Sequence, residues 1–142
     1  MTAPETAKLK TLGGEKPIPS ESFAHGLATR REVMGDAYVD AAIGKATDFT
    51  WPMQELVTEY CWDNIWNRPG LDRRSRSILN LGMISVLNRP HELKGHVRGA
   101  INNGLTKSEI QEIFLQVAIY VGVPAGIDSF RHAQEVFNEM NI

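Results

Sequence analysis

Asn88-Arg89-Pro90, then Asn102-Asn103-Gly104, then Thr106-Lys107-Ser108-Glu109 are the stretches that decide the fold. Pro90 is tolerated in the first turn of a helix, where its missing N–H has no intrahelical acceptor. Gly104 suits the left-handed residue that follows a helix end. The spacing therefore predicts a helix from Pro90 to about Asn102-Asn103. Thr106 and Glu109 have the form of a capping box. They open a second helix, whose Ile110, Ile113, Phe114, Val117 and Val121 recur on one face.

The same punctuation continues outward in both directions. Asp72 is a good N-cap for a helix from Arg73 to about Leu87, with Leu79, Met83 and Leu87 as its stripe and Ile84 and Val86 widening it. Val121-Gly122-Val123-Pro124 separates the last two helices, and Ile127, Phe130, Ala133, Val136 and Phe137 mark the final one. Arg68-Pro69-Gly70 is a break. Before it, a segment starts near Thr50 with Pro52 in its first turn and carries Leu56, Val57, Tyr60, Cys61 and Ile65 at spacings of three and four. Ser20 or Ser22 caps a helix that stops at Gly35, and Asp36 caps a short one to Lys45. No run shows strand alternation with hairpin turns. The expectation is an all-α fold of antiparallel helices with short connections. Residues 20–142 form the helical domain. Residues 1–19, interrupted by Gly13-Gly14, Pro17 and Pro19, are expected to be a flexible or subunit-wrapping arm.

Composition bounds the function. The chain has 142 residues, 42% of them hydrophobic and 23% charged, which is enough for a core without staples. Its single cysteine, Cys61, excludes an internal disulfide, a Cys-x-x-Cys redox pair and a cysteine-rich zinc site. A net charge of −2 gives no reason to expect a nucleic-acid partner. No apolar run reaches the ~18 residues of a membrane span, and no targeting run follows Met1, so the cytoplasm is expected. The wide apolar arcs of the helices after Arg73 and Ser108, with three tryptophans, exceed one small core and point to a homo-oligomer.

Two constellations carry candidate chemistry. Glu92 and His96 are four apart and share a helix face. A carboxylate beside an imidazole fixes its tautomer and raises its pKa, which makes an acid or base near neutral pH. The plainer reading is a surface pair worth about 0.2–0.5 kcal/mol. Gly95 and Gly99 each cost that helix about 1 kcal/mol relative to alanine, which suggests close approach by another helix or a ligand. In the second group, Arg73, Arg76 and Asn80 project from one side of their helix, where two guanidinium forks can hold a carboxylate. A solvated helix start is the alternative. Asp128 and His132 repeat the i,i+4 spacing beside Phe130 and Ala133, where packing is the ready explanation. Glu92 and His96 supply only two ligands and His-Glu-x-x-His is absent, so no metal site is expected.

The segments Leu71–Ser77, Glu92-Leu93-Lys94-Gly95-His96-Val97-Arg98-Gly99-Ala100, Asn102–Ile110 and Gln116–Ala125 together resemble the carboxymuconolactone decarboxylase family. Arg30-Arg31-Glu32-Val33-Met34-Gly35 and the Phe49 to Trp66 region extend the likeness, which covers about residues 25 to 140 and points to the 4-carboxymuconolactone branch. The resemblance implies an all-helical, alkylhydroperoxidase-like subunit in a homo-oligomer, a hexamer or trimer. It implies no cofactor, a small lactone carboxylate as substrate, and aromatic acid catabolism through the β-ketoadipate pathway. It implies decarboxylation of 4-carboxymuconolactone to the enol-lactone. On that reading His96 is the general acid and Glu92 orients it. Arg73 and Arg76 bind substrate carboxylates, with Arg98 and Arg131 as further candidates. The related disulfide reductases use Cys-x-x-Cys-x-x-x-His. With that histidine on His96, Arg89 and Glu92 fall on the cysteine positions, so reductase chemistry does not carry over. The alternatives are another lactone or small acid as substrate, or a non-enzymatic helical oligomer.

Overall fold

A computed structural model describes residues 7–142, which divide into two compact units at Gly70/Leu71. The break at Arg68-Pro69-Gly70 thus marks the boundary between two cores.

The first unit opens with a hairpin. Strands β1 (Lys8–Thr11) and β2 (Gly14–Pro17) pair antiparallel, with Lys8 opposite Pro17 and Thr11 opposite Gly14. This corrects the expectation of an irregular arm for residues 8–17; residues 1–6 of that arm lie outside the described residues. Gly14, at φ 96°, supplies the turn conformation that other residues rarely adopt. The turn is tied down by Leu12 N–H donating to Gly44 O and Gly13 N–H to Ala46 O. Helix α1 (Glu21–Met34) starts where Ser20 Oγ accepts from Phe23 N at 3.0 Å. Helix α2 (Asp36–Gly44) follows, with Gly35 rather than Asp36 at its N-cap.

Helix α3 (Trp51–Leu56) runs into a π-helical segment, Val57–Ile65, whose ladder closes with Trp66 N–H donating to Cys61 O five residues back. The apolar spacing alone predicts an ordinary α-helix here. Gly26 explains how α1 packs on the wide segment. A Cβ at Gly26 would lie 2.0 Å from Thr58 O, so only hydrogen lets the two backbones meet. Phe23, Leu27, Val33, Val39, Trp51, Trp62 and Trp66 fill this core, with the last two rings stacked at 4.9 Å.

The second unit is four helices: α4 (Arg73–Leu87), α5 (Pro90–Asn102), α6 (Lys107–Tyr120) and α7 (Val123–Met140). The capping box of Thr106 and Glu109 is present, with Thr106 Oγ1 accepting from Glu109 N at 3.1 Å and Glu109 Oε1 from Thr106 N at 3.1 Å. Asp72 caps α4 by accepting from Ser75 N at 2.7 Å. α4 packs on α5 and α6, and α7 on α5 and α6. Leu81, Val97, Ile110, Phe114, Val136 and Phe137 form the core; burying one such side chain contributes about 1.5–3 kcal/mol. Among the described residues, no helix is long and apolar enough to cross a membrane.

Much apolar surface stays outside. Met83 and Val86 on α4 are half exposed, and Ile119 and Tyr120 on α6 are about four-fifths exposed. Leu79, Gly82, Met83, Val117 and Tyr120 help line a groove of about 520 Å³.

Candidate active site

The N-terminal turn of α4 is organised by its caps. Hydrogen bonds from Ser75, its backbone N–H foremost, hold the Asp72 carboxyl below the usual carboxylate range. Arg74 pairs with Glu109, the capping glutamate of α6, so this arginine serves the packing of the two helices. Arg73 and Arg76 are half-buried beside it. Both residues belong to the first turn of a helix, whose partial positive charge also favours an anion.

Asn103 at the end of α5 fixes the geometry of this turn. Its Nδ2 donates to Ser77 Oγ at 2.9 Å and to Arg73 O at 3.3 Å. Ser77 is fully buried. The start of α4 and the end of α5 are thereby locked side by side. His96 lies two turns back along α5, about 10 Å along its axis.

His96 departs from the expected acid–base behaviour. Burial is the dominant influence and pulls its pKa to about 4; the Glu92 carboxylate opposes this only in part. Glu92 is exposed, so its charge is largely screened by water. The imidazole is therefore neutral at pH 7. In that state one ring nitrogen is a donor and the other an acceptor, and the ring holds no spare proton. An anion bound beside it would favour the charged form and bring the proton in.

The other arginines are placed elsewhere. Arg98 donates to Glu139 Oε2 at 2.9 Å, and Lys94 pairs with Glu135, so both face α7. Position 98 is about 200° around the helix from position 96, and α5 turns Arg98 away from His96. Arg131 is exposed and pairs with Asp128 of its own helix at 2.8 Å. In the sequence Asn103 is helix-end punctuation before Gly104, with no sign of this bonding role. Arg30, a buried guanidinium in the first unit, carries no sequence signal of its burial either. Among the described residues, no group of three or more His, Cys, Asp or Glu side chains could hold a metal.

The second unit thus carries a half-buried neutral imidazole on α5 and two half-buried arginines in the first turn of α4. A family model described as the carboxymuconolactone decarboxylase family matches residues 52–135, and the chain belongs to that family. It is 47% identical over 118 residues to nitrosuccinic acid decarboxylase of Metarhizium robertsii, covering 83% of this chain and 82% of that protein. It is 34% identical over 122 residues to 4-carboxymuconolactone decarboxylase of Acinetobacter baylyi, covering 86% and 91%.

Proposed function

We propose that this protein decarboxylates a small dicarboxylic acid whose reacting carbon is bonded to an electron sink. The observation that carries this reading is the pair of acids named for its two relatives. In each, one carbon bears the departing carboxylate, a carboxymethyl arm and an electron-withdrawing group. In 4-carboxymuconolactone that group is the conjugated lactone. The C–C electron pair moves through the ring double bond into the lactone carbonyl, and protonation at the α-carbon gives the enol-lactone. In nitrosuccinate the pair moves into the nitro group as a nitronate, and protonation at carbon gives the nitroalkane. Because the substrate supplies the sink, the chemistry asks for no cofactor.

The residues have matching tasks. Arg73 and Arg76 hold the carboxymethyl carboxylate through charge-assisted forks. His96 enters neutral, takes a proton as the dianion binds, and passes it to carbon after carbon dioxide leaves. Until then its N–H faces the oxygen on which charge develops. Glu92 orients the ring. The resemblance and the relative named for it point to 4-carboxymuconolactone; the higher identity to the nitrosuccinic acid enzyme favours the open-chain nitro acid as a second reading. The apolar face of α4 and α6 is assigned to a homo-oligomer, a trimer or hexamer.

The test supplies each acid freshly made. Carbon dioxide release and product absorbance are followed, with and without chelator, for the wild type and His96→Ala. Rapid, chelator-resistant turnover of one acid identifies the substrate, and a loss of ~100-fold or more in His96→Ala supports the proton role. No carbon dioxide from either acid with a folded protein would overturn the reading in favour of a different substrate or a non-enzymatic oligomer.

A further inference from the structure

Arg30 lies on α1, one turn beyond Gly26, with 7% of its surface exposed. Its Nη1 donates to Gln54 Oε1 at 2.8 Å and, at the long limit, to Thr58 Oγ1 at 3.5 Å. Both acceptors are neutral. Among the described residues, the ionisable groups that act on Arg30 are Tyr38, Cys61 and Arg31, none of them a carboxylate. Burial pushes the Cys61 thiol up in pKa, so it stays neutral. Buried guanidinium groups are ordinarily met by a carboxylate, because taking the charge out of water is costly. Among the described residues Nη1 is given amide and hydroxyl oxygens, and Nε and Nη2 are not among the buried nitrogens that lack a partner, so the remaining edge carries the small exposure that Arg30 keeps.

The surroundings hold this arrangement in place. Gly26 brings α1 against the backbone of the π-helical segment at Thr58, and Arg30 follows on the same face of α1. The segment presents Thr58 toward the guanidinium, and α3 presents Gln54. π-Helical turns are frequent at functional sites, where they re-aim side chains. The guanidinium fork matches the two oxygens of a carboxylate side by side.

We propose that Arg30 is a carboxylate-binding residue, and that the guanidinium edge not used by Gln54 receives one carboxylate of a small organic acid. The site is built from residues of the first unit and stands independently of the decarboxylation reading.

Succinate is the probe, since it has two carboxylates and no electron sink and is not consumed. Calorimetric titration compares the wild type with Arg30→Gln and Arg30→Lys, and succinamide replaces succinate as the uncharged control. Expected are binding of succinate but not succinamide, a tenfold or greater loss in Arg30→Gln, and partial retention in Arg30→Lys. Equal affinity in a folded Arg30→Gln, or no binding of millimolar succinate to the wild type, overturns the proposal. If circular dichroism shows Arg30→Gln unfolded, phenylglyoxal labelling of the wild type decides, read by peptide mass spectrometry. Protection of Arg30 by succinate supports the site; an Arg30 that is labelled equally with and without succinate, or never labelled, overturns it. Absence of turnover on any acid leaves these outcomes untouched.

Discussion

Asn103 Nδ2 sits 2.9 Å from Ser77 Oγ and is the donor that joins the end of α5 to the first turn of α4. Ser77 is buried, so its oxygen finds no water if the amide is removed. Asn103→Ala is expected to destabilise the protein by about 1–2 kcal/mol. The double variant with Ser77→Ala should cost less than the sum of the two. Urea denaturation of the four proteins measures the coupling, and a coupling near zero would show that the bond holds nothing.

His96 makes stability depend on pH in a defined window. Its folded pKa, about 4, lies below the ordinary histidine value, so the unfolded chain binds the proton more readily. The stabilising effect of the neutral ring is complete above pH ~6.5 and is lost as pH falls through ~4, a span on the order of 3 kcal/mol. The urea midpoint should fall over that window in the wild type and fall less in His96→Gln. Imidazole proton shifts in NMR that titrate near 6.5 would refute the burial argument.

What was legible in the sequence is what has a local cause. Ser20, Asp72 and Thr106 cap helices because each places an oxygen over a backbone N–H a few residues on, and that grammar is written in neighbouring residues. The hairpin at 8–17 is held partly by contacts to Gly44 and Ala46, far along the chain, and each of its strands has only four residues in which to alternate. The π-helical segment hides because apolar spacings of three and four are compatible with either helix. At the candidate site, residue type and face were readable for Glu92 and His96. The direction of the histidine shift was not, since it depends on burial. Arg98 shows the same limit: its charge is visible in sequence, its commitment to Glu139 is not.

Two glycines separate close packing from helix propensity. Gly26→Ala drives a Cβ into Thr58 O and should destabilise by about 2–3 kcal/mol or block folding. Gly44→Ala, at the end of α2, meets nothing within 4 Å and should be neutral or stabilising by up to ~1 kcal/mol. Thermal and urea unfolding of both variants checks the contrast. A Gly26→Ala protein as stable as wild type would mean that α1 and the π-helical segment do not touch as described.

The groove beside Met83 and Tyr120 predicts association. Multi-angle light scattering of the wild type at micromolar concentration should give a mass of three or six chains. Met83→Glu or Tyr120→Glu, on exposed positions, should reduce it to the monomer while the helical circular dichroism persists. A wild-type protein that runs as a monomer would remove the oligomer from the proposal.

The Val57–Ile65 segment has a consequence for how the chain tolerates insertions and deletions. A π-turn spends one more residue per turn than an α-turn, so deleting a single residue there lets the hydrogen-bond ladder close again in α geometry. Everything after the deletion would be rotated by about 100° relative to what precedes it. Relatives with a one-residue gap in this stretch would keep the helix and lose the register that sets Thr58 opposite Gly26. In this segment the number of residues, as much as their identity, is under constraint.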